Sequence, residues 1–144
     1  MRKKLIAGNW KMNKCNSDAR ILMNEIKSAV TKEITDLVDV VICPPFISIP
    51  AASEIFKGTG INFGGQNIHY KDEGAFTGEV SASMLKEIGC KYVILGHSER
   101  RQYFHETNHI INFKVIKALE NGLTPILCVG ETLDEREQGV TEAV

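Results

Sequence analysis

The chain has 144 residues, with 17 Lys plus Arg against 18 Asp plus Glu, a net charge of −1, 43% hydrophobic and 24% charged residues. Wholesale disorder, a collagen-like repeat and a disulfide scaffold are excluded by these values, and the near-zero charge argues against nucleic acid or an acidic surface as partner. No apolar stretch approaches the ~20 residues that span a bilayer, and Leu5-Ile6-Ala7 behind Met1-Arg2-Lys3-Lys4 is too short for a signal-peptide core, so the expectation is a soluble, cytoplasmic domain that makes no membrane contact.

Leu5-Ile6-Ala7 opens the chain as a predicted strand. Behind it, Ile21, Leu22, Ile26, Ala29 and Val30 fall along one side of a helix that Ser17 or Asp18 could cap. Strand patterns follow at Leu37 to Cys43, Ile61 to Phe63, Tyr92 to Leu95, and Pro125 to Val129. The first, third and fourth of these four runs are nearly continuous rather than alternating, which suits strands covered on both faces of a parallel sheet. Met84, Leu85 and Ile88 mark a short helix; Ile110, Ile111, Val115, Ala118 and Leu119 mark a longer one. Thr132-Leu133-Asp134-Glu135 has capping-box spacing and opens the last helix. Gly58, Gly89 and Gly122 each stand where a helical pattern stops and a strand pattern follows.

Alternating strand and helix imply a parallel sheet with right-handed crossovers. Two architectures fit: a doubly wound open sheet, or part of a (β/α)8 barrel. Both place their chemistry at the C-terminal ends of the strands. The predicted strands are followed by Gly8-Asn9-Trp10-Lys11, Cys43-Pro44-Pro45-Phe46, Gly64-Gly65-Gln66-Asn67, Gly96-His97-Ser98-Glu99-Arg100-Arg101 and Gly130-Glu131-Thr132. Polar and ionisable groups therefore crowd one end of the sheet.

Lys11 is either a solvated lysine at a strand end or a fixed cation for an anionic substrate. Asn9 can donate and accept hydrogen bonds on the same rim. His97 begins a helix, whose N-terminal partial positive charge disfavours imidazolium; a neutral imidazole can donate to a carbonyl or enolate oxygen. His97-Ser98-Glu99 is not a hydrolase triad, because adjacent residues do not converge, and Arg100 stands where a nucleophile elbow needs glycine. The four cysteines (15, 43, 90 and 128) show no CxxC pair and no histidine at zinc spacing; reduced thiols are expected, and no metal. The polar stretch over residues 70–79, with Phe76 near its tip, is long enough to be functional, and is read as a loop that docks into a partner subunit.

The segments Asn9-Trp10-Lys11-Met12-Asn13, Gly65-Gln66-Asn67, Gly74 to Glu79, Tyr92 to Arg101 (YVILGHSERR) and Cys128-Val129-Gly130-Glu131 resemble the triosephosphate isomerase family in order and spacing. The resemblance implies a (β/α)8 barrel, of which residues 1–144 form a single incomplete domain, the N-terminal five of eight βα units. It also implies a homodimeric isomerase of glycolysis and gluconeogenesis that interconverts dihydroxyacetone phosphate and glyceraldehyde 3-phosphate, without cofactor or metal. By matching motif, Lys11 resembles the substrate-binding electrostatic residue, Asn9 its hydrogen-bonding neighbour, and His97 the catalytic electrophile. Ser98, Glu99, Arg100, Cys128 and Glu131 match supporting positions, and Met12, Phe76 and Thr77 match the dimer interface, with Thr77 near the second subunit's Asn9 and Glu99.

Family members of this fold run to roughly 250 residues. Their general base is a glutamate in a segment resembling Tyr-Glu-Pro, which does not occur here: the prolines are Pro44, Pro45, Pro50 and Pro125. The lid and the glycine-rich phosphate loops lie in the same later part. The expectation is a chain that carries the Lys/His half of the site, is inactive alone, and is ordered only beside a second polypeptide or segment that completes the barrel, or in another assembly that covers its open edges. The alternative function is a non-catalytic half-barrel interaction module. A doubly wound nucleotide-binding domain is a third reading, disfavoured because no GxGxxG or P-loop follows the first strand.

Overall fold

The structure, a computed structural model, describes residues 3–143; Met1, Arg2 and Val144, which the expected domain includes, lie outside the described residues. Five parallel strands are present: β1 (Lys4–Asn9), β2 (Val38–Cys43), β3 (Asn62–Gly65), β4 (Tyr92–Leu95) and β5 (Thr124–Leu127). The helices are α1 (Asn16–Ala29), α2 (Lys32–Leu37), α3 (Ile49–Ile55), α4 (Ala82–Ile88), α5 (Ser98–Tyr103), α6 (Asn108–Glu120) and α7 (Leu133–Glu137). Strand order decides between the two architectures. It runs β1-β2-β3-β4-β5, each strand joining the far side of the last. A doubly wound sheet reverses at a switch point; a barrel under construction does not.

Alternation sorts the strand side chains onto two faces. Val40 and Ile42 of β2, with Val93 and Leu95 of β4, point outward into the main core, where they meet Met23 of α1, Ile49 and Ile55 of α3, and Leu85 of α4. Each such side chain contributes roughly 1.5–3 kcal/mol by leaving water. The opposite face holds a second cluster: Val41, Cys43 and Ile94, with Tyr92, Ile126 and Cys128 packed against it. Side chains of β2 and β4 thus meet across β3. The sheet is curled, and β3 ends in Gly64-Gly65, which put no side chain in between. Glycine is required at Gly64, where a Cβ would collide with the Tyr92 carbonyl; a Cβ on Gly65 would instead push the Leu85 Cδ1 methyl out of its place. The result is half of a barrel with its inner layer started.

β1 and β5 are the edges. Ile6 is 60% and Leu127 46% exposed. Pro125 to Val129, whose continuity suggests a strand covered on both faces, is only partly buried; its apolar character is that of an unfilled edge.

Three local expectations are corrected. α1 starts after Cys15 with no side-chain cap, its first helical bond running from the Ala19 amide to the Cys15 carbonyl. Ser17 and Asp18 lie inside the first turn, where Asp18 still complements the helix dipole. The core-facing side of α1 is Ala19, Met23 and the partly buried Ile26, with Val30 just past its end, while Ile21 and Ala29 are exposed, because a 3.6-residue period turns Ile21 to the far side and Ala29 to the flank. Leu37 belongs to α2, a helix that sequence patterning does not reveal, since KEITDL runs straight into the apolar run of β2. The capping box at α7 forms as expected: Thr132 Oγ1 accepts from the Glu135 amide at 3.2 Å, and Glu135 Oε2 accepts from the Thr132 amide at 2.6 Å.

Candidate active site

Because all five strands are parallel, their C-terminal ends and the loops after them share one rim. β1 ends at Asn9, and the chain turns sharply at Lys11, whose φ is +53°. That left-handed conformation costs a non-glycine residue roughly 1–2 kcal/mol and persists only where neighbours over-determine it. Here they do. Asn9 Oδ1 accepts the Lys11 amide at 3.0 Å; Gln66 Nε2 donates to the Lys11 carbonyl at 2.9 Å and to the Cys43 carbonyl at 2.8 Å. The Trp10 amide donates to the same Cys43 carbonyl at 3.0 Å. Three strand ends thereby fix one lysine.

His97 follows β4 and caps α5. Its Nδ1 accepts the Glu99 amide at 3.3 Å. A nitrogen that accepts carries no proton, so the neutral ring keeps its N–H on Nε2, free to donate. Glu99 Oε2 also lies 3.3 Å from Nδ1; that contact is attractive only when Nδ1 carries a proton, so amide and carboxylate compete for one nitrogen. The other oxygen of Glu99 lies 2.7 Å from Lys11 Nζ. The hydrogen bond from Lys11 is the main cause that holds the Glu99 carboxyl below the usual carboxylate range, with the proximity of His97 adding to it. Lys11 and His97 are therefore on the same rim, joined through Glu99.

Beside His97, a cleft of about 280 Å³ is lined by Ser98, Arg101, Cys128 and Glu131. Burial pushes the Cys128 thiol up, against the pull of the nearby Arg101 charge. Arg100 turns away from the cleft: its Nε donates to Glu106 Oε1 at 2.6 Å, and the same oxygen accepts Lys114 Nζ at 2.6 Å. Lys114 also donates to Asn67 at 2.8 Å. Burial works against the charge on Glu106, but the hydrogen bonds from Lys114 and Arg100 outweigh it and hold the carboxyl below its ordinary range. Glu106 Oε2 is buried without a hydrogen-bond partner. This cluster links β3, α5 and α6 beneath the histidine loop. Sequence reasoning does not find Glu106 and Lys114, since nothing in their spacing marks two residues that meet only in the fold.

The loop over residues 70–79 carries internal order. Phe76 packs on His69 at 4.1 Å between ring centroids, His69 stacks on Tyr70 at 4.4 Å, and Lys117 of α6 holds Asp72 at 3.0 Å. Thr77 and Met12 are exposed. Among the described residues no group of three or more His, Cys, Asp or Glu is placed to hold a metal ion, and no helix is long and apolar enough to cross a membrane.

A family model described as triosephosphate isomerase matches residues 4–144. The chain belongs to the triosephosphate isomerase family. A triosephosphate isomerase from Prosthecochloris aestuarii is 53% identical over 147 aligned positions, covering all of this chain and 57% of the relative. One from Clostridium novyi is 54% identical, covering all of this chain and 56% of the relative. The crystal structure of triosephosphate isomerase from Bartonella henselae superposes with a TM-score of 0.87 at 40% identity, over 99% of this chain and 58% of that one. The chain spans a little over half the length of the family members it matches, and its five strands are the curled first part of their barrel.

Proposed function

We propose that this chain supplies the electrophilic half of a site that interconverts dihydroxyacetone phosphate and glyceraldehyde 3-phosphate through an enediolate. The observation that carries this reading is the convergence of Lys11 and His97 on one rim, bridged by Glu99. Lys11 offers a fixed positive charge to the phosphate and to the negative charge that develops on the substrate oxygens. Asn9, with its carbonyl oxygen taken by the Lys11 amide, has its side-chain N–H groups left to donate. His97 donates from Nε2 to the substrate carbonyl and, once the adjacent carbon has lost its proton, moves protons between the two enediolate oxygens; triosephosphate isomerases are themselves the standing example of a neutral imidazole used in this way.

On this reading the carboxylate base, the lid and the phosphate-binding loops come from the part of the relatives' length that this chain does not span, whether in a longer chain or in a second polypeptide. The exposed Met12, Phe76 and Thr77 suit a homodimer contact, and four free thiols suit a reducing, cytoplasmic setting.

The test joins residues 1–144 to the remaining C-terminal part of the Clostridium novyi relative and assays isomerase turnover. The completed barrel is active, and Lys11→Met lowers kcat/KM by about 10²–10³-fold, the scale for losing one preorganised electrostatic contact. An active barrel whose kcat/KM is indifferent to Lys11→Met would sink the assignment.

A further inference from the structure

Arg101 directs its guanidinium to three acceptors, none of them charged. Nε donates to the Gly96 carbonyl at 2.8 Å, Nη1 to Asn108 Oδ1 at 2.6 Å, and Nη2 to the Cys128 carbonyl at a longer 3.4 Å. These acceptors belong to the end of β4, the start of α6 and the segment after β5. The Arg101 backbone amide donates to the His97 carbonyl at 3.1 Å. One residue thus holds the carbonyl oxygens on both sides of His97. A peptide group is planar, so fixing the Gly96 oxygen also places the His97 nitrogen and Cα; with the His97 carbonyl held as well, the direction in which the His97 side chain leaves the backbone is set.

Gly96 is built to accept this clamp. Its φ is +69°, and a Cβ there would lie 3.0 Å from Arg101 Nη2 and 3.2 Å from Ile111. A side chain at this position would strain the backbone and push the guanidinium off the carbonyl it holds. The planar fork of arginine matters as well: a lysine ammonium at the end of a flexible stem cannot span three acceptors in this geometry.

We propose that Arg101 is a positioning residue for His97, holding the Gly96–His97 peptide so that the imidazole meets the substrate oxygen at the productive angle. This rests on the isomerase reading given above. It does not make Arg101 a group that touches substrate. A clamp that merely tied β4 to β5 would lower stability and leave the chemistry of folded molecules unchanged, whereas a positioning residue acts on the chemical step.

The experiment uses the completed barrel, residues 1–144 joined to the C-terminal part of the Clostridium novyi relative. Turnover by the unsubstituted barrel tests the isomerase reading; the ratio of variant to parent tests Arg101. Arg101→Ala is expected to lower kcat by about 10–100-fold, the scale of a small misplacement of a catalytic group, with KM within about twofold. Millimolar guanidinium restores part of the loss, and Arg101→Lys recovers less than about a tenth of it. The ring ¹⁵N resonances of His97 shift in the variant and return with guanidinium. A folded Arg101→Ala barrel with parental kcat and unmoved His97 resonances overturns the proposal, as does a loss seen only in thermal midpoint. Should Arg101→Ala not fold, Arg101→Lys, which keeps the charge and loses the planar fork, lowers kcat at constant KM; a folded Arg101→Lys barrel with parental kcat overturns the proposal equally.

Discussion

The Lys11 ammonium lies 2.7 Å from Glu99 Oε1, in a pair whose members come from the segments after the first and fourth strands. The pair is half-exposed, so its worth is positional: it aims a lysine whose backbone is already held in a left-handed turn at the loop that carries His97.

The Glu99 carboxyl should therefore titrate below the ordinary glutamate value of 4.5. Its folded value is depressed, so the stabilisation linked to it is present above the unfolded value and is lost as pH falls through the folded one. Carboxyl ¹³C NMR of the completed barrel reads this directly. In Lys11→Met the Glu99 titration moves back up, since the largest cause of the shift is gone; an unchanged titration would show that Lys11 is not its partner in solution.

Glu106 makes the opposite kind of pair, buried at 7% exposure with Lys114 at 4%. Glu106→Ala leaves the Lys114 ammonium buried without its carboxylate and should cost about 3–5 kcal/mol, the usual penalty for breaking rather than replacing a buried pair. Urea denaturation of the completed barrel measures it; a loss under about 1 kcal/mol would show that the cluster is wet and weak. The depressed Glu106 value adds an acid limb: this contribution is intact above pH 4.5 and fades as pH drops below it.

Residues 1–144 made as a separate polypeptide present two open edges and an unfilled inner layer, with Ile6, Leu127 and Val129 in water. Such edges template strand pairing. Light scattering after size exclusion should find this polypeptide self-associated, and the assay should find no turnover, since a positioned base alone is worth about 10²–10⁴-fold. A cooperatively folding monomer, or turnover at the level of the completed barrel, would contradict the account.

Much of this is readable from the residues alone. The sequence places β4 at Tyr92–Leu95, where the structure has it, because four apolar residues between Lys91 and Gly96 leave little choice of ends. Lys11 and His97 are legible because each stands just past a strand, and parallel strands deliver their C-terminal loops to one rim. Other features depend on distance in the fold. Glu99 as the bridge between Lys11 and His97 needs the curl of the sheet to bring the first and fourth strand ends together. The Glu106–Lys114 pair needs α6 packed beneath the histidine loop. Arg101 is in plain view at the end of YVILGHSERR, but its acceptors are mostly backbone carbonyls, which every residue has and no sequence pattern marks. α2 is hidden because its β-branched residues and Leu37 read as the approach to a strand.

The most direct test of the central claim is His97→Gln in the completed barrel, with kcat and KM for dihydroxyacetone phosphate measured beside the parent. A histidine that polarises the carbonyl and moves protons between enediolate oxygens predicts a loss in kcat of about 10²–10⁴-fold with KM little changed. A folded variant that turns over at the parental rate would show that the imidazole on this rim does not take part in the chemistry.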